Sequence, residues 1–148
     1  MIAALMLAAP GLWLCVAAYD NWRAPALNRD LLRQVVRLEL MERDYPDAFA
    51  LVAHRRLDNP RLIAALFALI RWAETLCAAL MLIAAGMLAL DPDALWLAQI
   101  AAAGFALLWA GFIIGGSWFC YWYCHPFAQI NHFLLMLWGL LVLGLLSL

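Results

Sequence analysis

The chain contains no lysine and only two serines, Ser117 and Ser147. Charged residues make up 13% of it, against about a quarter in soluble domains. The formal net charge is −1, so there is no basic excess to neutralise phosphates, and nucleic-acid binding is excluded. With hydroxyl nucleophiles so scarce, no serine elbow exists. There is also no Walker-type loop, no glycine fingerprint after a strand and no H-E-x-x-H. The four cysteines do not make a secreted disulfide framework, because such domains are polar and loop-rich. Cys15 and Cys77 lie in apolar runs, where cysteine acts as a small hydrophobe. Catalysis is left with a Cys/His cluster or Glu74, and the reading leans away from an enzyme.

What is present is apolar. Of 148 residues, 69% are hydrophobic, and mean hydropathy is +0.90. One transmembrane domain over 1–148 follows, with spans near 2–19, 62–90, 94–119 and 127–148. The first run has no Arg before it, no small-x-small site before Tyr19, and Leu12-Trp13-Leu14 before Cys15. It therefore reads as a retained helix rather than a signal peptide, kinked at Pro10-Gly11. Asp91-Pro92-Asp93 and His125-Pro126 break the later runs. The expected fold is all-α: an integral membrane four-helix up-down bundle with an amphipathic helical segment, 28–57, between helices one and two.

Eight of the nine arginines fall in residues 20–61. Asn28 is a candidate cap for a helix to Glu42 or Arg43. On that helix Leu31, Leu32, Val35, Val36 and Leu38 oppose Arg29, Arg33, Gln34 and Arg37. Asp44-Tyr45-Pro46-Asp47 signals a second, short helix over 48–57. Such a segment suits the headgroup layer or the mouth of the bundle. The arginine asymmetry places 20–61 in the cytoplasm and both termini outside.

Around the end of the third run, Trp109, Gly111, Phe112, Gly115, Gly116, Trp118, Phe119 and Trp122 form a pattern. It resembles the signature of a bacterial family of predicted small integral membrane proteins of unknown function. Asn21 ending the first helix, a loop of about 40 residues and Glu74 within the second span also match, so the resemblance covers essentially the whole chain. It implies the fold and the bacterial inner membrane, and supplies no activity. Ser117 stands where the family pattern has Glu, and Tyr123 to Pro126 depart from it, which puts in doubt any chemistry resting on that Glu.

Several constellations are candidates for function. Arg71 and Glu74 are neighbours on one helix face. They form either a self-compensating pair near an interface marked by Trp72, or a proton or ion relay or partner-binding charge. Cys120, Cys124 and His125 read C-x-x-x-C-H, with His132 one heptad on. These are weak metal or redox candidates, one residue too long for haem attachment, and no cofactor is assigned. Gly104, Gly111 and Gly115 share a face suited to close helix approach. Gln99, Asn131 and His132 need interhelical partners. Gly115, Gly116, Ser117, Trp118 and Trp122, with Trp22 and Trp72, could rim a shallow site. The 28–43 helix would be its lid, packed on Trp118 or Trp122.

The function expected from these features is a non-catalytic accessory or scaffolding subunit. Its partners would be the bilayer and another membrane protein or a second copy. A small transporter using Arg71 and Glu74, and a metal or redox protein, are the alternatives.

Overall fold

Proline fixes φ near the helical value and lacks an N–H that a first helical turn cannot use. Five of the six prolines stand at helix starts in the computed structural model, which describes residues 2–148. The elements in order are α1 (Ile2–Arg23), α2 (Pro25–Val36), α3 (Glu39–Asp44), α4 (Pro46–Val52) and a 3₁₀ turn, Ala53–Arg55. Then follow α5 (Pro60–Leu90), a 3₁₀ turn Pro92–Ala94, α6 (Leu95–Trp118), α7 (Tyr121–Cys124) and α8 (Pro126–Leu145), with no strand among the described residues. The helices α1, α5, α6 and α8 are long and apolar enough to cross a membrane. The chain is thus an all-α membrane protein with four spans, and the helix that holds the first runs on past Tyr19 to Arg23.

The spanning helices pair as α1 with α5 and α6 with α8, and the α5–α6 hairpin joins the pairs. Glycine permits both close crossings. A Cβ at Gly11 would lie 3.1 Å from Met81 Cβ, and one at Gly139 would lie 2.9 Å from the backbone N of Ala106. Pro10, expected to kink α1, lies inside one continuous helix. Its missing N–H leaves the Met6 carbonyl without its helical partner, and Trp138 Nε1 of α8 donates to that oxygen at 3.4 Å. Gln99 likewise finds an interhelical partner, donating to the Leu146 carbonyl at 2.9 Å.

The core fills the half of the bundle nearer the 91–94 turn. Leu7, Leu14, Met81, Phe105 and Val142 close it around a run of buried alanines: Ala78, Ala84, Ala98, Ala101 and Ala102. Small side chains let the backbones of α5 and α6 approach, and Phe105, with no exposed surface, fills the centre.

The connecting segment differs in detail from its sequence reading. The helix starts at Pro25, so Asn28 lies inside it and is free to bond elsewhere. It does not run on to Glu42 or Arg43, because Leu38 adopts a left-handed conformation (φ 55°) and α3 begins after it. That conformation is costly for leucine, and burial of Leu38 with Met41 against Cys120 offsets the cost. Asp44 does not cap α4; Arg43 holds its carboxylate, and Tyr45 takes the cap position. Arg37 and Arg56 share Asp58 at 3.1 and 2.9 Å, and Arg56 also reaches Glu42 at 2.8 Å. With the Leu57 N–H donating to the Val36 carbonyl, these pairs fold the segment back on itself.

Candidate functional site

Helix α1 ends beside the middle of α5, which brings together side chains 53 positions apart. Asn21 Nδ2 donates to Glu74 Oε2 at 2.5 Å, and Asn28 Nδ2 of α2 donates to Asn21 Oδ1 at 2.8 Å. The chain Asn28–Asn21–Glu74 thus links the segment outside the bundle to a carboxyl only 6% exposed. Among the described residues no ion pair to Glu74 forms, and its Oε1 has no hydrogen-bond donor.

Arg71, expected as Glu74's partner, is turned away from it. Its guanidinium lies 3.9 Å from the Trp22 ring centre and 5.9 Å from that of Phe67. The spacing allowed an ion pair, but a flat cation over an indole face competes successfully where water is scarce. Trp22 is held there by donating to Thr75 Oγ1 at 3.0 Å and by an edge contact with Trp72 at 5.0 Å.

Glu74 faces a cleft of about 670 Å³ between the two helix pairs, roofed by α2. This is the volume range of small-molecule sites, ~300–1,000 Å³. Leu31, Leu32, Val35 and Val36 of α2 form the roof, and Phe67 and Ile70 of α5 one wall. Leu108, Gly111, Phe112 and Gly115 of α6 form the opposite wall. Polar groups are few: Asn21, Asn28 and Glu74 on one side, Asn131 and His132 on the other, with Tyr121 near them. His132 sits among aromatic rings, 5.3 Å from Trp109, 5.1 Å from Phe112 and 5.8 Å from Tyr121.

The glycines do not make the seam expected of them. A Cβ at Gly104, Gly111 or Gly115 would meet nothing within 4 Å, so no helix of this bundle covers that stripe. Gly111 and Gly115 border the cleft instead. The close approach is at Gly116, where a Cβ would come 2.8 Å from Gln129 Oε1 and 3.3 Å from Tyr121 Cβ. Gln129, buried on α8, donates to Ser117 Oγ and to the Ile113 carbonyl, each at 3.4 Å.

The Cys/His cluster is dispersed. Cys120 has φ 53°, so the helix is interrupted and Cys120 and Cys124 do not share one helical face. Cys120 packs on Leu38 and Met41, and His125 stacks on Tyr121 at 4.9 Å. Among the described residues no three His, Cys, Asp or Glu side chains come together as a metal-ligand set. Burial, then the nearby Asp44, pushes the Cys124 thiol up, and burial pushes the His125 imidazole down. The thiolate that a soft metal needs is thereby disfavoured at Cys124.

The 28–43 segment does dock at the end of α6, but not on the tryptophans expected. Leu38 and Met41 cover Cys120 and Phe119, while Trp118 and Trp122 remain 55% and 53% exposed. Arg55 reaches Trp118 instead, lying 5.1 Å over its ring and donating to its carbonyl at 3.3 Å. Arg55, Gln129 and the Asn28 link had no sequence signal as site residues. Asn21 and Glu74 were each marked by the family resemblance, without any sign that they touch.

The chain belongs to the family described as predicted small integral membrane protein (DUF2165), whose model matches residues 1–148. No curated protein and no solved structure matches it.

Proposed function

We propose that this protein binds a lipid-soluble small molecule, without transforming it, in the cleft between its two helix pairs. One observation carries the reading: a cleft of about 670 Å³, apolar on most sides, with a small set of polar groups around a buried carboxyl. Sites of that size and lining, with few convergent polar groups, are those that hold small ligands. The 20–61 segment supplies its roof. By the arginine excess that roof lies on the cytoplasmic side of a bacterial inner membrane.

The accessory-subunit reading drew on the glycine stripe as a helix seam. The open space at Gly104, Gly111 and Gly115 keeps one version of it, a partner's helix lying along α6. The two are separated by purification in mild detergent, followed by solvent extraction and mass spectrometry. Leucine at position 115 extends into open cleft rather than into protein, so Gly115→Leu fills the site and leaves the bundle standing. A lipophilic species near one per chain, depleted in Gly115→Leu, is the expected result. Equal recovery from both proteins overturns the ligand-binding reading, and a stoichiometric membrane protein in place of a small molecule supports the second one.

A further inference from the structure

We infer that the cleft's ligand is a lipophilic cation, an aromatic onium ion or protonated amine, with its charge held by Glu74. This rests on the ligand-binding reading above and adds the chemical class.

Glu74 is 6% exposed and lines the cleft, yet no cation of the described chain pairs with it. The one arginine in reach along its helix, Arg71, is engaged over Trp22. Asn21 occupies Oε2, and Oε1 has no donor. A carboxylate in an apolar, membrane-level site requires a counter-charge. If it rests protonated, an incoming cation supplies that charge and the proton leaves to water. The remaining lining suits the same class. Trp13, Phe67, Trp109, Phe112 and Tyr121 present aromatic surface, and ring faces attract cations with little directional demand. An anionic ligand finds no cationic side chain among the lining residues while His132 is neutral.

The other groups around Glu74 set the sign of a pH effect. Asn21 from α1 and Asn28 from α2 do not titrate, α6 presents no ionisable side chain to the cleft, α7 presents the Tyr121 phenol, and α8 presents His132. On α5 itself, Arg71 is engaged over Trp22, and Cys77 lies three residues on from Glu74. Protons compete for Glu74, and protonated His132 adds a like charge, so affinity falls as the pH is lowered.

The test is equilibrium dialysis of labelled tetraphenylphosphonium against the full chain in detergent, with labelled tetraphenylborate, an anion of the same shape, dialysed in a separate experiment. Diphenylhexatriene fluorescence reports neutral occupancy. Wild type should bind one cation per chain and no tetraphenylborate saturably. Glu74→Gln should lose about thirtyfold or more in affinity, the scale for removing one partner of a buried charge pair. Its amide oxygen can still accept from Asn21. Glu74→Asp, which keeps the charge in a folded protein, should retain part of the affinity. If Glu74→Gln binds the cation as wild type does while Gly115→Leu does not, the cleft is a site but the charge assignment is wrong. Saturable binding of tetraphenylborate overturns it equally. If neither the cation nor diphenylhexatriene binds saturably, the ligand-binding reading itself fails.

Discussion

The same four helices behave differently at their two ends. Toward the 91–94 turn they close on alanines, Leu7, Met81 and Phe105, with Gly11 and Gly139 bringing backbones together. Toward the 20–61 segment they part, and the space is lined by Glu74, His132 and rings rather than filled. Residue size at the crossings accounts for the difference. Buried alanines (Ala78, Ala84 and Ala85 on α5; Ala98, Ala101 and Ala102 on α6) let α5 and α6 meet, whereas Phe67 and Phe112 stand beside the cleft and two uncovered glycines leave the gap open. One end is built for cohesion and the other for access.

Paired substitutions sharpen that contrast. Gly139→Leu forces a side chain into the Ala106 backbone and should destabilise the protein by about 3 kcal/mol, the upper range for overpacking. Gly115→Leu should leave the denaturation midpoint in detergent within about 0.5 kcal/mol of wild type. Equal losses at the two positions would break the comparison. Phe105→Ala, which empties the packed end, belongs with the first and should cost on the order of 3 kcal/mol.

Asn21→Ala is intermediate. It removes the donor to Glu74 and the acceptor of Asn28, a loss of about 1–3 kcal/mol. It should also raise hydrogen exchange in α2, whose roof position depends on that link. Exchange unchanged in α2 would show that the ionic ties of the segment hold the roof without it. Arg71→Met should cost about 1 kcal/mol, the scale of a partly desolvated cation–π contact. An Arg71→Met protein that instead loses Glu74-dependent binding would show that the two charges are coupled after all.

The smallest effect is in acid. Hydrogen bonding to Arg56, with Arg37 contributing, holds the Asp58 carboxyl below the usual carboxylate range. A depressed folded-state value means this stabilisation is present above the unfolded value and is lost as pH falls through the folded one. Loosening of the 53–58 turn, followed by exchange, is therefore expected only below the ordinary aspartate range, while the bundle's packed end is unaffected.

The spans were legible because length and proline placement determine them: a bilayer sets the first, and ring geometry the second. The break at Leu38 was not, since leucine carries no sign of a left-handed backbone; only burial against Cys120 makes it tolerable. For Arg71 and Glu74 the spacing stated reach, not outcome, and the winning partner, Trp22, lies in another helix. The glycine stripe failed for a similar reason. A small residue allows close approach without requiring it, and which glycine is covered depends on the crossing point. The glycines that are covered, Gly11, Gly116 and Gly139, lie outside the stripe. Asn21 and Glu74 were visible as separate polar residues. Their contact is long-range, and no local pattern encodes it.

The carbonyl freed by Pro10 has a bearing on how the two helix pairs can move. Trp138 reaches across from α8 to satisfy Met6 of α1, so the first and last spans share a hydrogen bond that the proline itself made available. Separating the two helices there would leave the Met6 carbonyl and the Trp138 N–H without each other as partners. The contact therefore joins the first and last spans at the packed end of the bundle, opposite the end that α2 roofs.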